Sequence, residues 1–291
     1  MDIVITYVNG ADPEWQRSYA EYTHKPLITK RYRDWGTLKY LLRAIQKNLP
    51  FIGNVFLVVS SRSQVPEWAS QELKVVTHDQ IIPAEHLPTF NSTCIEMFLH
   101  RIPGLDEEYI YFNDDIFPVL PCEESDFFRD GKAVLKFHRC LLRGGQFRKH
   151  TLNSDRLARK ALKLRNSLSY LRPKHSATTM LRSVCEEAFG KAENEILSRI
   201  SRVREDKNIN QYYFLDYQKL SGKTIDGALS KKHFSLAVSS ESDIRAFFEN
   251  PSSKLVGIND TKVSPEKENA IGAMLDDVMN RMFPDKSRFE K

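Results

Sequence analysis

Through the first 120 residues, short apolar strands alternate with amphipathic helical stretches, and no other feature constrains the fold as strongly. Residues 2–8 are β-branched and alternating, and they run into the turn cluster Asn9-Gly10-Ala11-Asp12-Pro13. Residues 37–48 place Leu38, Leu41, Leu42 and Ile45 at helical spacing, and Pro50 stops them. Strands are expected at 55–59, 73–76 and 107–112, with a helix over 91–101 that Ser92 caps. Strands separated by helices form a mainly parallel sheet covered on both faces, so the fold class is α/β.

The middle of the chain reads differently. Leu157, Ala161, Leu164, Leu168 and Leu171 step by four and three, which predicts one amphipathic helix over 154–171. Arg156, Arg159, Lys160, Lys163 and Arg165 fall on its wet side. Further helices are expected at 178–189, 193–200, 210–220 and 266–282, and strands at 233–238 and 254–257. These elements outline a single domain over 1–291, with its core in 1–137 and 221–291 and a helix-rich basic insertion over about 138–220.

Several classes are excluded. No apolar run approaches the roughly 18 residues of a membrane-spanning helix. The first residues lack the basic start and long apolar stretch of a signal peptide. Cys94, Cys122, Cys140 and Cys185 lie far apart with no CxxC pair, which predicts reduced thiols and no thiolate metal site. GxSxG, GxxxxGK[ST] and a GxGxxG after a strand are all missing, so serine hydrolase, P-loop and Rossmann dehydrogenase readings fall away. The net charge of +5 hides an asymmetry: residues 136–174 hold twelve Lys or Arg and one acid, Asp155. Those cations flank a leucine stripe and not interleaved exposed aromatics, so nucleic acid is not the expected partner.

Ligands of open α/β sheets bind at the carboxyl ends of strands. Asn113-Asp114-Asp115 ends one strand here, and Asn259-Asp260 ends another. Adjacent carboxylates repel unless a cation joins them, and Mg²⁺ or Mn²⁺ takes one or two carboxylates beside phosphate oxygens. A solvated turn is the competing reading of the same residues. Arg33-Asp34, ahead of a helix, suits phosphate oxygens or forms a surface ion pair. His175 follows Pro173-Lys174 and opens the helix expected at 178–189, as a proton carrier or as one of eight ordinary histidines. Arg202-Val203-Arg204 carries the same two readings.

The segment from Asp2 to Trp15, including Tyr7-Val8-Asn9-Gly10-Ala11-Asp12-Pro13, resembles the first conserved region of the Stealth family. That family holds bacterial capsular polysaccharide phosphotransferases and the animal lysosomal-enzyme GlcNAc-1-phosphotransferase. Its second region is similar to the stretch from Arg31 to Asp115, with Leu-Pro-Thr-Phe-Asn-Ser (87–92), His-Arg-Ile-Pro-Gly-Leu (100–105) and Tyr-Phe-Asn-Asp-Asp (111–115). The third resembles Arg172-Pro173-Lys174-His175 through Tyr217, and the fourth Gly257-Ile258-Asn259-Asp260 and the end of the chain from Phe283. Tyr7 stands where the family often has Trp, and the basic segment 139–171 matches poorly.

The resemblance implies a GT-A-like fold and an enzyme that moves hexose-1-phosphate or HexNAc-1-phosphate from a UDP-sugar to a glycan hydroxyl, releasing UMP, in capsular or cell-surface polysaccharide synthesis. It implies Mg²⁺ or Mn²⁺ on Asp115, Asn259 and Asp114. His175, Asp115 and Arg204 become the catalytic candidates. Val8, Asn9, Gly10, Asp12, Arg33, Asp34, Asn91, Ser92, Glu96 and Lys174 become the substrate and nucleotide candidates. Expected partners are the UDP-sugar and a lipid-linked or oligosaccharide acceptor. Helix 154–171 is read as a packed element, as an attractor of an anionic acceptor, or as a peripheral contact with an anionic membrane. The expected location is the cytoplasm, extending to the inner face of the cell membrane. A conventional glycosyltransferase releasing UDP and a non-catalytic glycan-binding protein are the alternatives.

Overall fold

The computed structural model describes residues 1–25, 32–141, 145–259 and 263–291. The chain runs β1 (Asp2–Thr6), α1 (Pro13–Thr23), α2 (Leu38–Asn48), β2 (Val55–Val59), β3 (Leu73–Thr77), α3 (His78–Ile81), α4 (Ser92–Glu96), β4 (Glu108–Asn113) and β5 (Ile116–Pro118). The next elements are β6 (Phe128–Arg129), β7 (Lys132–Leu135), β8 (Phe137–Cys140), α5 (Gln146–Ala161), β9 (Tyr170–Pro173), β10 (Thr178–Leu181), α6 (Arg182–Lys191), α7 (Glu193–Arg199) and α8 (Tyr212–Leu220). The chain closes with β11 (Thr224–Asp226), β12 (Lys231–Ser235), α9 (Glu241–Glu249), β13 (Leu255–Asn259) and α10 (Glu268–Met282). The architecture is mixed α/β, as the alternation predicts. A five-stranded sheet has the order β10-β4-β1-β2-β3, and smaller sheets are β11-β7-β6, β12-β13-β5 and β8-β9. No helix among the described residues is long and apolar enough to cross a membrane.

The chain divides into two compact units. The first comprises Met1–Val4, Val76–Tyr111 and Ser125–Ala228. It carries α5–α8, and α5 packs on α8. The second comprises Ile5–Val75, Phe112–Glu124 and Leu229–Lys291. In it, α2 buries Leu38, Leu41, Leu42 and Ile45, the residues its spacing selected, and β2 is buried throughout. Arg43 donates from Nε and Nη2 to the two oxygens of Glu290, at 2.9 and 2.7 Å, which anchors the last residues to α2. Tyr40 adds a 2.7 Å bond to Asp276 of α10. A fork-to-fork pair of this kind has strict geometry, so it fixes orientation as well as contact.

Three expected elements are corrected. The helix expected at 178–189 begins as a strand: Thr178–Leu181 pairs antiparallel with β4, and only Arg182–Lys191 is helical. The β-branched Thr178 and Thr179 side chains fit the pleated, buried edge better than a helix interior. His175 therefore lies in the β9–β10 connection and opens no helix. Residues 91–101 break after Glu96, and the capping residue is Asn91, whose side chain accepts from the Thr93 amide.

The helix expected at 154–171 is the largest correction. Helix α5 starts earlier, at Gln146, and ends at Ala161. Lys163 then adopts a left-handed φ of 56°, and the Leu164 amide bonds back to Arg159 O at 2.8 Å. That is a helix-terminating turn. Downstream, the Asp155 carboxylate receives the Leu171 amide at 3.1 Å and Arg159 Nε at 2.8 Å. This bond and the β8–β9 pairing draw Leu171 into a strand. Arg159, expected on the wet face, is buried beside Asp155, while Leu164 and Leu168 are exposed.

Candidate active site

In the second unit, β1 delivers the chain to Val8-Asn9-Gly10-Ala11-Asp12, a loop whose shape is fixed by its own polar groups. Asn9 Oδ1 accepts from the Ala11 amide at 2.9 Å, an Asx turn. Asp12 caps α1 through the Glu14 and Trp15 amides, and Pro13 occupies the first helical position. The other Asp12 oxygen takes bonds from Ser63 Oγ and Gln64 Nε2, both at 2.8 Å. Burial alone raises the Asp12 pKa, but these four donors outweigh it and hold the group below its usual value. Gln64 also accepts from the Asn9 amide at 2.7 Å, so one buried side chain clamps both ends of the loop. Nothing in the sequence around Arg62-Ser63-Gln64 marks it for that task.

Gly10 is required for steric reasons. A Cβ there would meet the Tyr32 carbonyl oxygen at 2.1 Å, the same oxygen that accepts the Gly10 amide at 3.0 Å. The obstacle is backbone and cannot swing aside. Gly10→Ala is expected to cost about 1–3 kcal/mol, as overpacking does, which a lowered melting temperature would register. Unchanged melting would mean that the loop and the backbone at Tyr32 part freely.

Close to that loop, the Tyr7 hydroxyl donates to Asp34 Oδ2 at 2.6 Å, and the Gly36 amide donates to Oδ1 at 2.8 Å. Burial, with the negative charges of Asp34 and Asp114, pushes the Tyr7 phenol far above its ordinary range, so it stays a donor. Arg33 ion-pairs with Glu268 at the start of α10 and lies over the Trp35 ring at 5.0 Å.

Strand β4 ends at Asn113, and after the turn Asp114-Asp115 the chain enters β5, which pairs with β13. The Ile258 amide donates to Asp115 O at 2.9 Å, which brings Asp115 beside the Ile258-Asn259 end of β13. The two strand ends singled out by sequence thus converge. Asp260 lies outside the described residues, as does Arg31. The donors are carboxylate and amide oxygens, the hard set that suits Mg²⁺ or Mn²⁺. Among the described residues no three His, Cys, Asp or Glu side chains gather as a closed cage. One or two carboxylates with substrate phosphate oxygens suffice for Mg²⁺, so the residues fit such an ion.

In the first unit, a second group forms around α4. Asn91, fully buried, donates through Nδ2 to Ser201 O at 2.9 Å and to Asn208 Oδ1 at 3.1 Å. Asn208 in turn bonds the Arg199 carbonyl and the Ser201 hydroxyl, both at 2.7 Å. These amides hold the segment 199–208 against the start of α4. The exposed Arg204 consequently reaches Ser92, with Nη2 at 2.8 Å from Oγ. Glu96, one turn on, is buried and accepts the Gln211 amide at 2.9 Å. Burial pushes its carboxyl up to about 7, against the opposing pull of that amide and of Arg204. Lys174 bonds through its amide to Lys136 O at 2.8 Å, and His175 is exposed beside it. The family resemblance names Asn91, Ser92, Glu96 and Arg204 separately; the fold gathers them, with Asn208 as the unanticipated link.

Residues 31–135 match the family model for Stealth protein conserved region 2. Over 334 aligned positions the chain is 30% identical to the receptor polysaccharide phosphotransferase WefC of Streptococcus oralis, covering 100% of this chain and 99% of that one. The chain belongs to the Stealth family. The capsular polysaccharide phosphotransferase WcwK of Streptococcus pneumoniae is 29% identical, with 100% and 99% of the two chains covered. The capsular polysaccharide phosphotransferase fcs1 of Haemophilus influenzae is 32% identical over 250 residues, or 77% and 67%. As a Stealth protein the chain is a phosphotransferase, an enzyme that moves a phosphate-containing group. Among solved structures, the inositol-1-phosphate CTP transferase from T. maritima aligns over 95% of this chain and 97% of that one, at 14% identity. Its TM-score of 0.39 is too low to define a shared topology.

Proposed function

We propose that this Stealth protein transfers hexose-1-phosphate or HexNAc-1-phosphate from a UDP-sugar to a glycan hydroxyl in capsular or cell-surface polysaccharide synthesis. The observation that carries the reading is the end-to-end similarity to a named polysaccharide phosphotransferase. The acceptor oxygen attacks the β-phosphorus and forms the new P–O bond. The bond from that phosphorus to the oxygen bridging the two phosphates breaks, and UMP leaves with the bridging oxygen. The acceptor hydroxyl's proton passes to a base of the protein.

Reactions of this type depend on positioning and charge neutralisation. The loop Val8-Asn9-Gly10-Asp12, rigid through Gln64, is our binding element for uridine and ribose, with Arg33 and Asp34 bordering the nucleotide phosphate. Asp115, Asn259 and Asp114 would hold Mg²⁺ or Mn²⁺, and the ion would supply positive charge to offset that of the diphosphate. Arg204, steadied by Ser92, is assigned to the transferred phosphoryl oxygens, and Lys174 supports it. Asn91 holds the segment that carries Arg204, and Ser92 is assigned to the sugar. Two groups are suited to hold the acceptor proton: the exposed imidazole of His175, and Glu96, whose carboxyl near pKa 7 exchanges a proton at neutral pH. The acceptor is a lipid-linked or free oligosaccharide, and the reading places the enzyme in the cytoplasm at the inner face of the cell membrane.

Nucleotide release from a panel of UDP-hexoses with Mg²⁺ or Mn²⁺ and acceptor glycan tests the proposal. UMP is the expected product. UDP would mean glycosyl transfer, and donor binding without either product, indifferent to Asp115→Ala, would mean a glycan-binding protein.

A further inference from the structure

The premature end of α5 leaves apolar side chains in water. Leu168 is 94% exposed, Leu141 70% and Leu164 45%, among the few large apolar residues so placed. In the β8–β9 ribbon Cys140 pairs with Tyr170, so Leu141 stands one step past the last pair, next to Ser169 and Leu168. Arg139, two residues before Leu141, lies 3.5 Å from Ser169 Oγ. Lys163 and Arg165 flank Leu164, and residues 163–168 are exposed without interruption.

The charge around these leucines has one sign. Residues 136–174 contain a single acid, Asp155, and it is buried against Arg159. Other basic residues of the segment are occupied: Lys136 by Asp226, Lys149 by Asp206 and Lys160 by Glu195. Arg139, Lys163 and Arg165 form no ion pair among the described residues. Exposed leucines set between cations that have no ion pair among the described residues are ill suited to self-association, because a two-fold contact places each patch against its own copy and cation against cation. They are well suited to an anionic lipid surface, which accepts leucine side chains at the acyl boundary and Lys or Arg at the phosphates.

We infer that the ribbon end and the turn after α5 — Leu141, Leu164 and Leu168 with Arg139, Lys163 and Arg165 — dock this protein on an anionic bilayer. The docking element is thus a set of loop leucines in place of the continuous helix the leucine spacing suggested. Near such a surface each Lys or Arg raises partitioning about fivefold, so three cations with three leucines are enough for a salt-sensitive peripheral contact.

The experiment is co-sedimentation of the whole chain with vesicles of phosphatidylcholine alone or mixed with phosphatidylglycerol. Wild type is expected to bind the mixed vesicles at least tenfold more tightly than the neutral ones, and to release in high salt. The double variant Leu141→Ser, Leu168→Ser is expected to lose at least tenfold in binding with its melting temperature unchanged, since both residues are exposed. Failure of wild type to bind phosphatidylglycerol vesicles would overturn the inference, as would equal binding by the double variant. So would a wild-type dimer in sedimentation equilibrium that the double variant dissolves, which would assign the leucines to a second copy. Vesicle binding is read without turnover, so its failure and failure of the transferase reading are separate results.

Discussion

Asp115→Ala and His175→Ala are each expected to lower turnover at least 100-fold, the size of loss typical when charge stabilisation or a proton carrier is removed. The two losses should differ in kind. Asp115 sits where β5 and β13 meet, its carbonyl held by the Ile258 amide, so only its carboxylate is removed and the backbone bond persists. Its loss should respond to metal concentration, with Asn259→Ala moving in the same direction. The His175 loss should be indifferent to metal and should change the pH profile. Measuring UMP release against Mg²⁺ concentration separates them. An Asp115→Ala enzyme working within threefold of wild type would remove the metal assignment from these strand ends.

The parts of this site that are legible in the sequence are those where residue chemistry and strand position coincide. In the sequence Asn113-Asp114-Asp115 closes an aromatic strand and Asn259-Asp260 ends another, so residue type and position alone make both conspicuous. Their convergence depends on the pairing of β5 with β13, which no local pattern specifies. The β-branched strands and α2 are equally legible, because periodicity in a buried element reports its own environment. The leucine stripe of 154–171 misleads for the complementary reason. Spacing records which residues are apolar, not whether the helix persists, and here the left-handed Lys163 and the Asp155 bond to the Leu171 amide end it. Gln64 and Asn208 give no signal at all, because a buried amide that stitches two loops looks like any polar residue until the loops are in place.

Glu96→Gln is expected to stabilise the protein above about pH 7, and its turnover decides whether Glu96 or His175 carries the acceptor proton. The Glu96 carboxyl is buried, and burial raises its pKa from 4.5 to about 7 while the Gln211 amide and Arg204 pull the other way. The folded protein therefore keeps this proton to a higher pH than the unfolded chain does. The associated stability is fully present below about pH 4.5 and is lost as pH rises through about 7. A difference of that size corresponds to about 3 kcal/mol. The nearby Tyr212 hydroxyl is itself held neutral by burial and by the Glu96 charge, so it does not titrate in this range. Glutamine keeps the acceptor for the Gln211 amide but never ionises. The variant should accordingly melt higher than wild type at pH 8 and much as wild type does at pH 4.5. Its turnover should nevertheless fall about 100-fold or more if Glu96 takes the acceptor proton, and the rise in wild-type rate through pH 7 should vanish. A purely structural Glu96 predicts a more stable enzyme with its activity intact. Wild-type turnover in Glu96→Gln would leave His175 as the proton carrier, whereas a stabilised and inactive variant would show that the buried carboxylate is kept at a cost to the fold because the reaction uses it.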